Sequence, residues 1–173
     1  IDAEWQMSLS NLNPGHLLTV LNRAVYRTGR NRYNMTAFAV VVDIYEKVMY
    51  YANAGHNFPL LIHGDVEGKR RVEPLIARGN TLGSYPENTF KVVSHNLSES
   101  DRLVLYTDGV VDVGAPDKDP WGDKRFRALL SELHECPAKD LPVLIWAELE
   151  KYLGDIPLVD DVTMLTFQLV PPE

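Results

Sequence analysis

The chain of 173 residues has one cysteine, Cys136, and therefore no internal disulfide. A hydrophobic core must hold it together, and the pattern fits a reducing compartment. No apolar run approaches the ~20 residues needed to cross a bilayer as a helix. Basic charge is also scarce, with 17 Lys and Arg against 24 Asp and Glu, a net charge of -7. Binding nucleic acid requires a basic stripe that neutralises phosphates. The one basic run, Lys69-Arg70-Arg71, lies beside Asp65 and Glu67 and reads as a solvated hairpin. Neither a nucleic-acid nor a membrane partner is expected. The start, Ile1-Asp2-Ala3-Glu4, lacks a methionine and is neither basic nor apolar. This predicts a piece of a longer cytoplasmic protein with other domains upstream.

What the chain does have is a core: 45% of its residues are hydrophobic and 24% charged, the balance of a globular domain. Asn13-Pro14 reads as N-cap and first helical position. Leu17, Leu18, Leu21, Ala24 and Val25 follow at helical spacing, and Gly29 fits the stop. Six strands are expected next, over 36–43, 48–54, 58–63, 71–76, 90–96 and 102–107, the first buried on both faces. Helices follow over 124–133 and 138–152, and a closing strand over 162–170. Short turns between consecutive strands imply antiparallel pairing. Helices set apart from strands argue an α+β fold. One domain over 1–173 is expected.

Three segments carry chemistry. In Leu103-Val104-Leu105-Tyr106-Thr107-Asp108-Gly109-Val110 an apolar run delivers one carboxylate to a sheet rim, and a glycine permits a sharp turn. Asp108 there suits a metal ligand or, equally, a turn cap. In Asp160-Asp161-Val162-Thr163 two adjacent carboxylates open the apolar run of 164–167. Their repulsion is relieved by a cation, or by water at a solvated loop. In Ala52-Asn53-Ala54-Gly55-His56-Asn57 a strand ends on small residues and presents His56. His56 reads as a hydrogen-bonded turn histidine or as a group facing phosphate. His16, His63, His95 and His134 read as surface residues. An acidic protein that handles phosphate needs a cation between the two, which turns attention to the aspartates.

Taken with Leu97-Ser98-Glu99-Ser100-Asp101-Arg102-Leu103, these motifs resemble the metal-dependent (protein phosphatase 2C-like) protein phosphatases, in the stage II sporulation protein E branch of bacterial serine phosphatases. The resemblance runs in order from about Asn13 to Val170, nearly the whole chain. It implies two packed antiparallel β-sheets flanked by helices, an αββα sandwich, here N-terminally truncated. It implies two Mn²⁺ or Mg²⁺ ions, with Asp108 and Asp160 as ligands. Asp161 falls where relatives often carry an amide and ranks second. Gly109, Gly55 and His56 would shape the rim. The implied reaction is hydrolysis of phosphoserine or phosphothreonine on a regulatory protein, such as an anti-sigma factor antagonist, by a metal-activated water. No further catalytic residue is implied.

The family's early Gly-Asp-x-x-Gly-His-Gly motif, whose Asp bridges both metals, has no match here. Gly64-Asp65 is followed by Val66-Glu67-Gly68-Lys69 instead. The chain alone is therefore expected to be inactive or impaired. An open sheet edge would invite a second copy to pair with it as a homodimer. A haloacid dehalogenase-type site needs a nucleophilic Asp two residues before Asp108, where Tyr106 stands. A non-catalytic phosphoprotein-binding or pseudophosphatase module is the remaining rival. The loop over 111–123, rich in Gly, Pro and Asp, is expected to help form the substrate surface.

Overall fold

The computed structural model describes residues 12–29, 32–64, 71–114, 119–158 and 160–170. The fold is α+β, with two antiparallel sheets and three α-helices among the described residues. The chain divides into two compact units, Ile1–His56 with Ala77–Leu97, and Asn57–Ile76 with Ser98–Glu173.

In the first unit, α1 spans Pro14–Gly29. Asn13 caps it: its Oδ1 accepts the N–H of His16 at 2.9 Å. The buried line is Pro14, Gly15, Leu18, Asn22 and Gly29. The expected apolar face is thus rotated, for Leu17 is 50% exposed and Leu21 37%. The physical reason lies at two positions. Gly15 leaves no room for a side chain, since a Cβ there would lie 2.9 Å from Val92 Cγ2. Asn22 is buried with its amide satisfied: Nδ2 donates to the Tyr85 carbonyl at 3.0 Å, and Oδ1 accepts the Gly83 N–H at 2.9 Å.

Strand β1 (Ala37–Asp43) pairs antiparallel with β2 (Val48–Ala54), with Ala37 opposite Ala54 and Asp43 opposite Val48. Asp43 Oδ1 closes the turn by accepting the N–H groups of Tyr45 and Glu46, at 3.0 and 2.9 Å. The sheet order is β1-β2-β5, with β5 at Val93–Asn96. Strand β1 was expected to be buried on both faces. Only its Ala39 is buried, because among the described residues β1 sits at an edge and the central β2 takes the protected place.

In the second unit the sheet order is β4-β3-β6-β7, all neighbours antiparallel. These strands are β3 (Leu60–Ile62), β4 (Val72–Pro74), β6 (Arg102–Tyr106) and β7 (Met164–Gln168). Each is shorter than its apolar run suggests. Helices α2 (Gly122–Glu132) and α3 (Leu141–Leu153) cover the sheet. Phe126, Leu130, Leu141, Ile145 and Leu149 are fully buried against Leu60, Ile62 and Val104. Residues 138–140 form a turn rather than the expected first turn of α3. Pro142 then sits in the helix's opening positions, where its missing N–H is harmless.

Tyr106 packs edge-on against Phe126 at 4.8 Å between ring centroids. Burial, and next the negative charge of Asp123, push its phenol up to about 12 from 10.0. In the unfolded chain the phenol ionises from pH 10.0, while in the folded chain it stays neutral until about pH 12. The stability this contributes is complete below pH 10.0 and is lost as pH rises between those two values. Urea midpoints on either side of pH 10.0 should reveal it, and Tyr106→Phe should shrink the alkaline fall.

Two histidines are not the surface residues expected. His134 is buried at 6% exposure in the turn after α2, with Nε2 3.8 Å from Glu135. His63, after β3, lies between two carboxylates: Nε2 is 3.3 Å from Glu73, and Nδ1 is 3.3 Å from Asp101. Arg71 also pairs with Glu73, so the end of β3 lies against polar groups of β4 and of the turn before β6. Lys69 and Arg70 of the basic run lie outside the described residues.

Candidate metal centre

The centre is built where β6 and β7 run side by side. Their register places Tyr106 opposite Met164, which brings the residues after one strand next to the residues before the other. Thr107 fastens the junction. Its N–H donates to the Thr163 carbonyl at 3.1 Å, and its Oγ1 accepts the Thr163 N–H at 3.0 Å. The same hydroxyl donates to the Asp161 carbonyl at 3.1 Å. Both functions of one hydroxyl are thereby used.

Asp108 does not continue the strand. It is the first residue of a 3₁₀ turn, Asp108–Val110, whose Gly109 and Val110 are buried while Asp108 is exposed. Its Oδ1 accepts the Gly109 N–H at 3.2 Å, and its carbonyl accepts the N–H groups of Val111 and Asp112, both at 2.8 Å. Gly109 is required by its surroundings. A Cβ there would overlap the Asp161 carbonyl oxygen and lie 2.9 Å from its carbonyl carbon. The 160–161 backbone thus passes directly over the Asp-Gly step. Asp160 Oδ1 accepts the Asp161 N–H at 2.8 Å, and both side chains are exposed.

The segments that carry Asp108, Asp160 and Asp161 therefore meet at one junction of the second unit. A second cleft adds Asp112, which sequence reasoning missed. Asp112, Gly114, Leu153 and Asp160 are among the residues lining a space of about 230 Å³. The donor set is carboxylate oxygen at an open rim, which suits a hard cation such as Mg²⁺ or Mn²⁺. Among the described residues these aspartates do not gather three ligand oxygens within 4.8 Å of one another. A cation here would complete its shell with water or with ligands beyond them.

Gly55 and His56 belong to the first unit. Gly55 takes φ 71°, and its turn is clamped by Asn53. Asn53 Nδ2 donates to the His56 carbonyl at 2.8 Å, and its Oδ1 accepts the His56 N–H at 2.7 Å. Asn53 stands in the quoted motif, but its doubled clamp is not visible from spacing. The base of the 111–123 loop is closed by two backbone bonds, from Trp121 to Val113 at 2.6 Å and from Gly122 to Val111 at 2.8 Å. Its residues 115–118 lie outside the described residues.

Two antiparallel sheets, three helices and a carboxylate rim at a strand end make up the architecture of the protein phosphatase 2C type. The family described as stage II sporulation protein E matches residues 5–170, and the chain belongs to that family. It is 29% identical over 143 residues to the phosphoserine phosphatase RsbP of Bacillus subtilis, covering 80% of this chain and 33% of that protein. The chain thus spans no more than a third of the curated relatives it matches, 20% of one and 33% of the other. Among solved structures it is similar to the SiaA-PP2C domain of Pseudomonas aeruginosa, with TM-score 0.77 and 23% identity. That likeness covers 94% of this chain and 63% of the other. It is similar too to the SpoIIE phosphatase domain of Bacillus subtilis in Mn-presoaked form, with TM-score 0.65 and 16% identity. All of this chain and 75% of that one are covered. At these identities the structural likeness establishes the fold. No helix among the described residues is long and apolar enough to cross a membrane.

Proposed function

We propose that residues 1–173 are one phosphatase domain of a cytoplasmic signalling protein, acting on phosphoserine or phosphothreonine of a regulatory protein such as an anti-sigma factor antagonist. Asp108 and Asp160 would hold Mn²⁺ or Mg²⁺, with Asp161 as a further ligand and Gly109 giving the close approach. When bound, a pair of such ions supplies a nucleophile at neutral pH and stabilises charge on the transferred phosphoryl oxygens. Asp108 contributes negative charge from a turn held by its own carbonyl. Thr107 is a positioning residue, since it sets the distance between the two carboxylate segments. Asp112 faces the same cleft as Asp160 and would orient water or a basic group of the substrate.

The observation that supports this reading is the meeting of the chain segments before Asp108 and after Asp160 across the Thr107 clamp. A second reading, a phosphoprotein-binding module without turnover, is favoured by the sparse set of carboxylate ligands among the described residues. One experiment separates them. The chain is given a phosphoserine peptide and Mn²⁺, and phosphate release is followed. The expected result is slow release that stops with EDTA and returns with Mn²⁺. Binding without release would establish the second reading. Neither binding nor release would overturn both.

A further inference from the structure

A cleft of about 460 Å³ opens beside the candidate metal centre, lined by Trp146, Leu158, Asp160, Asp161 and Val162. Its size falls within the range of pockets that hold small ligands or side chains. Its lining mixes the side chains of Trp146, Leu158 and Val162 with two carboxylates. On α3 the fully buried positions are Leu141, Ile145 and Leu149, and the fold needs that line. Trp146 lies one step off it, partly buried and packed against the core, and it also lines the cleft. Leu158 is 41% exposed just before Asp160. Leu158 and Asp160 also line the second cleft.

We infer that the cleft between Trp146 and Leu158 is a specificity subsite, taking an apolar side chain next to the phosphorylated residue of a protein substrate. The inference rests on the phosphatase reading and names the sequence feature that reading leaves open. A phosphate alone would not use a tryptophan, and an apolar peptide alone would not use paired carboxylates. A cation on Asp160 and Asp161 joins the two halves, because it turns the acidic wall into an anion site. The occupant that matches both walls carries a phosphate and, within one or two residues, an aliphatic side chain. Tryptophan supplies much of the binding energy in such sites because it is large, rigid and half-apolar.

The test uses the chain of residues 1–173, Mn²⁺ and short peptides bearing a phosphonate mimic of phosphoserine, so that no hydrolysis intervenes. One peptide has glycine on both sides of the mimic. Others place leucine at each neighbouring position in turn. Binding is read by calorimetry. The expected result is that leucine at one position tightens binding about tenfold over glycine. Trp146→Ala should erase that gain and leave the glycine peptide unchanged. Leu158→Ala, at a half-exposed site outside the core, should reduce the gain and serves if the tryptophan variant fails to fold. Equal binding of leucine and glycine peptides would overturn the subsite, as would a leucine gain that survives both variants or no peptide binding at all. Failure of the phosphatase reading looks different. There the leucine gain would persist, but Mn²⁺ and the phosphonate would contribute nothing.

Discussion

Asp108→Asn should lower Mn²⁺-dependent hydrolysis of p-nitrophenyl phosphate about a thousandfold, a change of ~4 kcal/mol in the barrier, in the protein that carries this domain. The fold should not notice. Asp108 is exposed at the start of a 3₁₀ turn, and its side chain accepts one hydrogen bond, from Gly109. An asparagine Oδ1 can accept the same bond. What the substitution removes is one negative charge facing the place where cations would sit. A small assay substrate is the right probe because it bypasses protein recognition, including the Trp146 cleft. Circular dichroism and the urea midpoint should match the unaltered protein. A variant that keeps most of its Mn²⁺-dependent rate would remove Asp108 from the ligand set.

Gly109→Ala should act by another route, on structure first and chemistry second. The added methyl meets backbone rather than a flexible side chain, for the Asp161 carbonyl occupies its place. Overpacking of this kind costs about 3 kcal/mol. Either the 160–161 segment moves away or the turn after β6 does, and each route separates Asp108 from Asp160. The expected outcome is a lower urea midpoint together with weaker Mn²⁺ binding by isothermal titration. The pairing of the two losses is the point. Asp108→Asn should weaken metal binding with stability intact, whereas Gly109→Ala should lower both. A fully stable Gly109→Ala protein would mean that the close approach is easily relaxed.

The order of elements is legible in the sequence because local signals fix it. Asn13-Pro14 starts a helix, Gly29 ends it, and the hairpin between β1 and β2 follows from two apolar runs around a short polar turn. The Asp-Gly step and the Asp-Asp pair announce themselves by their places next to apolar runs. What sequence does not display is what depends on distant partners. Thr107 is an ordinary threonine until Asp161 and Thr163 arrive against it. Asn22 in an amphipathic helix looks like a solvent-facing residue, yet it is buried with Gly83 and Tyr85 as partners. Trp146 lies one step from the buried line of α3 and packs against the core, but its place in the lining of a cleft is not visible from helical period. The edge position of β1 was hidden for a similar reason. A strand's neighbours are set by crossovers, here β2 to β5 and β3 to β6, rather than by the next element in sequence.

The hydroxyl clamp of Thr107 also orders events in time. Its partner Asp161 lies 54 residues further along the chain. A ribosome releases the chain from its N-terminal end at roughly 5–20 residues per second. The sheet β1-β2-β5 has all its strands once Asn96 has emerged, while the other sheet waits for Met164–Gln168. Through that interval β6 offers one unpaired edge, and Asp108 stands without its companions. Closing so long a loop is entropically costly and slow compared with forming a hairpin. The candidate metal centre is thus a late product of synthesis, and a nascent chain stalled before β7 would lack the junction that brings its aspartate segments together.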